Sequence, residues 1–264
     1  MPPTGTLGEL TRAAHERAAV VAHHLTELRA AARDASPPVP FAEALRQTHV
    51  TVIAEVKRAS PSKGAIAPGL DAGEQAMAYV RGGAAAISVL TEPTRFGGAL
   101  HDLADVTPRV LVPVIRKDFL VHPIQLWEAR VAGASAALLI VRALSPSELE
   151  ELMDAMQETG MQALVEVRNE EELARALAVN ARVIGVNNRN LETLVIDVAT
   201  APTLIPSIPS DRIAIAESGM QSVNDMSAAA AAGADAVLVG SAVSANADPE
   251  SGVRALARVA RHAR

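Results

Sequence analysis

Eight short aliphatic runs recur along this chain, each separated from the next by a stretch of helical character. The runs occupy residues 50–55, 85–90, 111–116, 136–141, 162–167, 182–187, 212–217 and 236–240. The segments between them, such as 123–132, 146–159 and 169–178, place alanine and charged residues at helical spacing. Several segments end in glycine just before the next run, where a left-handed helix C-cap is expected: Gly82-Gly83, Gly133, Gly160 and Gly233.

Eight strand–helix repeats match a closed (β/α)8 TIM barrel. A doubly wound α/β sheet is the competing architecture, and it normally carries a glycine-rich fingerprint after its first strand. The turn after the first run reads KRASPSKG, which contains no GxGxxG. The chain is 49% hydrophobic but has only one Trp, one Tyr and three Phe, and an aliphatic core of this kind suits strands buried on both faces. We therefore expect an α/β barrel.

The barrel is predicted to span residues 48–264, with an N-terminal helical extension over residues 1–47, as one structural domain overall. Residues 7–33 have helical character, and the following DASPPVPF breaks the pattern with three prolines. Such an extension can close the bottom of the barrel or overhang its catalytic mouth. The sequence leaves both placements open.

Composition excludes several functional classes. The absence of cysteine rules out disulfides, a thiolate nucleophile and cysteine-ligated metals. A net charge of −6 argues against nucleic acid or an anionic membrane as the main partner. No run approaches the length of a spanning helix, and the first residues do not resemble a secretory signal, so we expect a cytoplasmic protein. The seven histidines show no metal-ligand spacing, and we expect neither a metal nor a cofactor.

The catalytic site of such a barrel lies at the carboxyl ends of its strands. Alternation along the first strand places Glu55 and Lys57 on the lumen face. The ends of the other strands contribute further polar residues: Lys117, Glu166, Asn187, Arg189 and Glu217. One strand-end charge is best explained as part of a structural ion-pair network. Six charges at the same end of the barrel favour an acid–base site. Carboxylates and cations that lie close together shift one another's pKa values apart, so one site can supply both an acid and a base.

Two further features point to a phosphorylated aromatic substrate. Small residues follow the last two strands, at Ser218-Gly219 and Gly240-Ser241, where many barrels bind phosphate through backbone N–H groups. Each pair alone is typical of a tight turn, and the two together favour phosphate. Phe96 and Phe119 follow the second and third strands. They either stack on a flat substrate or plug the space beneath a loop.

Taken together, the motifs resemble the indole-3-glycerol phosphate synthase family, in the order and spacing typical of that family from about residue 50 to 245. KRASPSKG and RKDF are the most specific of them, and no departure occurs at the matched catalytic positions. The motifs are IAEVKRASPSKG (53–64), SVLTEPTRFGG (88–98), PVIRKDF (113–119), LVEVRNEEEL (164–173), IGVNNRNL (184–191), AESGM (216–220) and VLVGSAV (237–243).

The resemblance implies ring closure of 1-(2-carboxyphenylamino)-1-deoxyribulose 5-phosphate to indole-3-glycerol phosphate, with loss of CO₂ and water. We expect a monomer, although the sequence leaves an oligomer open. The resemblance also implies Lys117 as the general acid, Glu166 as the group that exchanges a proton during dehydration, and Lys57 and Glu55 as catalytic partners. The remaining residues are implied in binding: Asn187 and Glu217 at the ribulose hydroxyls, Arg189 and Lys57 at the carboxylate and phosphate, Phe96 and Phe119 at the aromatic ring, and Ser60, Ser218, Gly219, Gly240 and Ser241 at the phosphate.

Two alternative functions share part of this pattern. Phosphoribosylanthranilate isomerase resembles this chain at the phosphate loops, but its family pattern uses a cysteine on the first strand as general base, and this chain has no cysteine. A non-catalytic phosphate-binding barrel would be indicated by loss of charge at position 57, 117 or 166, and all three charges are present. Strand five carries no cation on its own lumen face, so we expect Glu166 to be the carboxyl with a raised pKa.

Overall fold

The computed structural model describes residues 1–246, 248–257 and 259–262, so the predicted domain end at residue 264 lies outside the described residues. Eight parallel strands form a closed barrel in which each strand pairs with the next along the chain and β1 pairs with both β2 and β8. The strands are β1 (Thr51–Val56), β2 (Ala86–Leu90), β3 (Val114–Lys117), β4 (Ala136–Ile140), β5 (Gln162–Val167), β6 (Val183–Asn187), β7 (Ile213–Glu217) and β8 (Ala236–Val239). The predicted TIM barrel is confirmed.

Helices surround the barrel and also precede it. They are α1 (Gly5–Val21), α2 (Leu25–Asp34), α3 (Phe41–Leu45), α4 (Ala72–Arg81), α5 (Pro93–Phe96), α6 (Leu100–Val106), α7 (Pro123–Val131), α8 (Pro146–Thr159), α9 (Glu170–Ala178), α10 (Thr200–Leu204), α11 (Val223–Ala231), α12 (Ser241–Ser244) and α13 (Pro249–Leu256). Short 3-10 helices lie at Ala22–His24, Thr107–Arg109, Val141–Ala143 and Ile205–Ser207. A two-stranded antiparallel ribbon pairs Ala59–Ser60 with Gly64–Ala65. No helix in the described ranges is long and apolar enough to cross a membrane.

The largest error in the predicted strands concerns β3. The aliphatic run 111–116 predicts a strand from residue 111, whereas β3 begins at Val114. Leu111 is 94% exposed, so this part of the run lies on the surface. Pro113 has no N–H to donate to a neighbouring strand, which explains why regular pairing starts only after it.

The N-terminal extension contacts both ends of the barrel. Thr6 and Leu10 of α1 line the cavity at the carboxyl ends of the strands. After the 3-10 turn, α2 runs along α7, and the guanidinium carbon of Arg29 lies 5.3 Å from the ring centroid of Trp127. At the other end, the N–H groups of Phe41 and Ala42 in α3 donate to Gln162, the first residue of β5. The two placements that the sequence leaves open are therefore both used.

Candidate active site

One cavity at the carboxyl ends of the strands collects every site residue that the sequence predicts. Its lining includes Glu55, Lys57, Ser60, Phe96, Lys117, Phe119, Glu166, Asn187, Arg189, Glu217, Ser218, Gly219, Gly240 and Ser241. The side chains come from different strands and from the loops that follow them. This is the arrangement expected for an active site in a barrel of this class.

An ammonium held between two carboxyls lies at the centre of the cavity. Lys117, the last residue of β3, places its Nζ 2.8 Å from Oε2 of Glu217 on β7 and 3.5 Å from Oε2 of Glu166 on β5. Both glutamates are almost completely buried. The cation nearest to Glu166 comes from β3 rather than from β5, because the long Lys117 side chain reaches it across the lumen.

Burial and charge act in opposite directions on this triad. Burial lowers the pKa of Lys117, but the negative charges of Glu217, Glu166 and Glu55 outweigh it and raise the pKa overall. For Glu217, burial raises the pKa to about 7, even though the neighbouring Lys117 charge lowers it. Glu217 can therefore exchange a proton near neutral pH.

A second ion pair lies at the end of β1. Nζ of Lys57 is 2.6 Å from Oε1 of Glu55, and both side chains are largely buried. The backbone below this pair is fixed because the hydroxyls of Tyr79 and Ser244 donate to the carbonyl of Glu55 at 3.3 and 2.8 Å. A Cβ added at Gly240 would lie 2.5 Å from both Glu55 Oε1 and Lys57 Nζ, so this glycine makes room for the pair.

The end of β6 contributes an amide, and the residues that follow it contribute a third cation. Asn187 is buried, and its side-chain oxygen accepts a hydrogen bond from the backbone N–H of Arg189 at 2.9 Å. The Arg189 guanidinium donates to the carbonyl of Leu194, which holds the following loop against the mouth. Burial lowers the pKa of Arg189, partly offset by Glu55, but a guanidinium remains charged at neutral pH.

The loops after β7 and β8, where the sequence predicts phosphate binding, both line the cavity. Ser218 and Gly219 both adopt positive φ, at 63° and 82°, so the chain turns sharply at the end of β7. Asn188, which is fully buried, donates to the carbonyl of Ser218 and fixes this turn. After β8, the short helix α12 begins at Ser241, where barrels often place an extra helix at the phosphate.

The two phenylalanines form one aromatic wall of the cavity. The ring centroids of Phe96 and Phe119 are 6.3 Å apart. Phe96 ends α5, whose first N–H groups are capped by the carboxylate of Glu92. The backbone N–H of Phe119 donates to Oδ1 of Asp118 at 2.8 Å. The backbone N–H of each phenylalanine is thus held by a buried carboxylate, which fixes the position from which its ring extends.

Arg17 of α1 connects these two carboxylates. Its guanidinium lies 2.9 Å from Oδ1 of Asp118 and 3.6 Å from Oε1 of Glu92. Sequence reasoning missed this residue and also Thr6 and Leu10, which line the cavity from the same helix. The signal available was the helical character of residues 7–33, but it does not reveal which end of the barrel the helix covers.

The arrangement can supply acid–base catalysis beside an anion-binding end and an aromatic wall. Lys117 and Lys57 are proton donors, and the three glutamates can hold or exchange protons. Within the described residues, no group of three or more His, Asp or Glu side chains is arranged to hold a metal ion. The chemistry that these residues provide directly is proton transfer together with binding of negative charge.

Comparison with known proteins adds a family to this geometry. A sequence model described as indole-3-glycerol phosphate synthase matches residues 10–256. A protein of that name from Mycobacterium sp. strain KMS is 50% identical over 246 residues, covering 93% of this chain and 90% of the relative. Its namesake from Rhodococcus jostii is 50% identical over 235 residues, covering 89% and 87%.

Solved structures support the fold alone. A 3-hexulose-6-phosphate synthase has a TM-score of 0.63 at 18% identity, covering 78% of this chain and 98% of that one. A thiamine phosphate pyrophosphorylase from Pyrococcus furiosus has a TM-score of 0.58 at 15% identity, covering 80% and 95%. At such low identity these likenesses describe a shared barrel and say nothing about the reaction.

Proposed function

The chain belongs to the indole-3-glycerol phosphate synthase family, and we propose which catalytic step or binding contact of that reaction each residue at the barrel mouth serves. The reaction is a carboxy-lyase step of tryptophan biosynthesis. It converts 1-(2-carboxyphenylamino)-1-deoxyribulose 5-phosphate to indole-3-glycerol phosphate, with loss of CO₂ and water. The observation that carries the proposal is the ammonium of Lys117, buried between Glu217 and Glu166 at the centre of the cavity.

Lys117 acts as the general acid for ring closure. The anthranilate ring carbon that bears the carboxylate forms a bond to the C2′ carbonyl carbon, and the carbonyl oxygen takes the Lys117 proton and becomes a hydroxyl. The carboxylate then leaves as CO₂, and its bonding electrons return to the ring. Carboxyls within 3.5 Å keep the ammonium charged and aimed until the carbonyl arrives.

Dehydration needs one further acid and one base. The C2′ hydroxyl leaves as water after taking a proton, and a C1′ proton goes to a carboxylate, which completes the indole. Lys57 is available as the acid and is oriented by Glu55 at 2.6 Å. Glu166 is the residue that the family resemblance assigns to proton exchange. Glu217 supports Lys117, and its pKa of about 7 makes it a second candidate for the base.

Substrate binding is divided among the other residues at the mouth. The phosphate binds to the turns at Ser218-Gly219 and Gly240-Ser241, together with Ser60 from the loop after β1. Phe96 and Phe119 flank the aromatic ring, Asn187 and Glu217 contact the ribulose hydroxyls, and Arg189 with Lys57 neutralises the carboxylate and the phosphate. We also propose that the chain works as a monomer in the cytoplasm.

Two substrates offered in parallel test this function. Purified protein is expected to convert the carboxyphenylamino-deoxyribulose phosphate to a fluorescent indole product with release of CO₂. It is expected to leave N-(5′-phosphoribosyl)anthranilate unchanged, because the isomerase pattern needs a cysteine that the chain lacks. Turnover of the second compound alone would assign the barrel to the isomerase reaction. Turnover of neither would refute the proposal.

A further inference from the structure

A glycine occupies a lumen-facing position of β6 below the mouth, at Gly185. It lies in register with Glu166 on β5 and Ile215 on β7. Asn187, two residues further along β6, faces the cavity, so the strand's alternation places Gly185 on the same face. Gly185 therefore lies level with Glu166 and two residues below Asn187, the register partner of Glu217, at a point where the lumen has no side chain from β6.

The carboxyl of Glu217 fills the space that this missing side chain leaves. A Cβ added at Gly185 would overlap Oε1 of Glu217, and it would lie 3.2 Å from the carboxyl carbon and 3.1 Å from Cδ1 of Leu164. The same Oε1 is buried and has no hydrogen-bond partner among the described residues. Shape, rather than a hydrogen bond, therefore keeps this oxygen in the lumen.

We propose that Gly185 is a positioning residue for the reaction, because its lack of a side chain lets the Glu217 carboxyl descend into the lumen to a point where Oε2 is 2.8 Å from Lys117 Nζ. The inference rests on the proposed function, since it concerns the group that partners the acid. A methyl group at this position would push the carboxyl toward the mouth, because the Leu164 side chain closes the space beside it.

The depth of the carboxyl also sets its protonation. Burial raises the pKa of Glu217 to about 7, and the Glu166 and Glu55 charges raise it while the Lys117 charge lowers it. The charges that act on Glu217 lie on β1 (Glu55), β3 (Lys117) and β5 (Glu166). Lys57 is paired with Glu55. The register partners of Glu217 on β6 and β8 are uncharged. Moving the carboxyl toward water weakens both the effect of burial and the effect of Lys117, and because burial is the larger of the two, the pKa of Glu217 falls.

Gly185→Ala is the direct test. We expect kcat to fall by on the order of 10²-fold, the cost of misplacing a catalytic group by about 1 Å. The KM should rise less than kcat falls, because only the Glu217 contact to the ribulose hydroxyls is displaced and the phosphate and ring contacts are untouched. The limb of the kcat/KM profile near pH 7 should move to lower pH, which a loss of general packing would not cause. Gly69→Ala is the matched control, because nothing lies within 4 Å of a Cβ added at Gly69.

A second background decides whether the overlap is with Glu217. Glu217→Asp shortens the carboxyl by one methylene, so adding Gly185→Ala to that variant should cost less than about threefold in kcat, against on the order of 10²-fold in the wild type. An equal cost in both backgrounds would overturn the inference. If Gly185→Ala does not fold, the double variant is expected to fold, and failure of both would place the overlap elsewhere.

The inference and the proposed function can fail separately. If the wild type does not convert the carboxyphenylamino-deoxyribulose phosphate, the proposed function fails. The overlap is then still tested by the free energy of unfolding, which Gly185→Ala should lower more in the wild type than in Glu217→Asp. If the wild type is active and Gly185→Ala matches it in kcat and pH profile, only the inference about Gly185 fails.

Discussion

Glu217 combines two properties that the other mouth glutamates do not share. It is 1% exposed, against 3% for Glu55 and 4% for Glu166, and it makes the shorter of the two contacts with Lys117. Burial without a full set of hydrogen bonds favours the neutral acid, whereas Lys117 favours the carboxylate. The balance leaves a group whose protonation changes near neutral pH, where an enzyme can use it.

Replacing each carboxyl in turn should identify the residue behind the pH profile. The carboxylate fraction of Glu217 grows as pH rises through about 7, so a role as base predicts that kcat/KM rises with pH across that range. Glu217→Gln should abolish this limb and leave a low rate that does not vary with pH. Glu166→Gln, made alongside, should lower kcat but keep the limb. The opposite pattern would assign the limb to Glu166.

The residues that line the mouth were predictable because barrel geometry brings all strand ends together, so strand ends and alternation identify Glu55, Lys117, Glu166 and Glu217. Their mutual distances were not predictable. Which carboxyl lies next to Lys117 depends on the closure of the barrel and on the length of the lysine side chain. The space above Gly185 is likewise invisible in sequence, because a glycine in a strand carries no sign of what occupies the volume beside it.

Among the elements, α1 has the most direct link to the aromatic wall. Its Arg17 contacts the carboxylates of Asp118 and Glu92. Asp118 also accepts a hydrogen bond from the backbone N–H of Phe119, and Glu92 caps the helix that ends in Phe96. The helix thus holds both rings through two buried carboxylates. The sequence predicts the helix but not its place over the mouth, since helical periodicity gives no information about which surface the helix covers.

Arg17→Met should loosen the aromatic wall. Two buried carboxylates then lose a cation, which should lower the free energy of unfolding by about 1–3 kcal/mol. The KM of the substrate should rise by about tenfold, because the aromatic wall shifts by less than the 1 Å displacement that costs roughly 10²-fold. Inhibition by inorganic phosphate should stay unchanged, because the phosphate loops lie after β7 and β8. Arg12→Met on the same helix is the control, because Arg12 is exposed. Equal KM values for the two variants would contradict this role of α1.

At the scale of the whole molecule, the barrel brings together groups that are far apart in sequence. Lys57 follows β1, and Lys117, Glu166 and Glu217 lie on β3, β5 and β7; a largely aliphatic core supports them from below. The alternation of aliphatic runs and helices made this architecture predictable. The start of β3 was misplaced because an aliphatic run does not show where Pro113 prevents pairing.

The central claim is that a buried ammonium at the end of β3 performs the ring closure, and the kcat of Lys117→Met tests it most directly. Loss of a positioned general acid typically costs on the order of 10²- to 10⁴-fold in rate, so we expect kcat to fall by at least that range's lower bound. Inhibition by inorganic phosphate should persist, showing that the mouth still binds anions. A variant that retained more than half of the wild-type kcat would contradict the account.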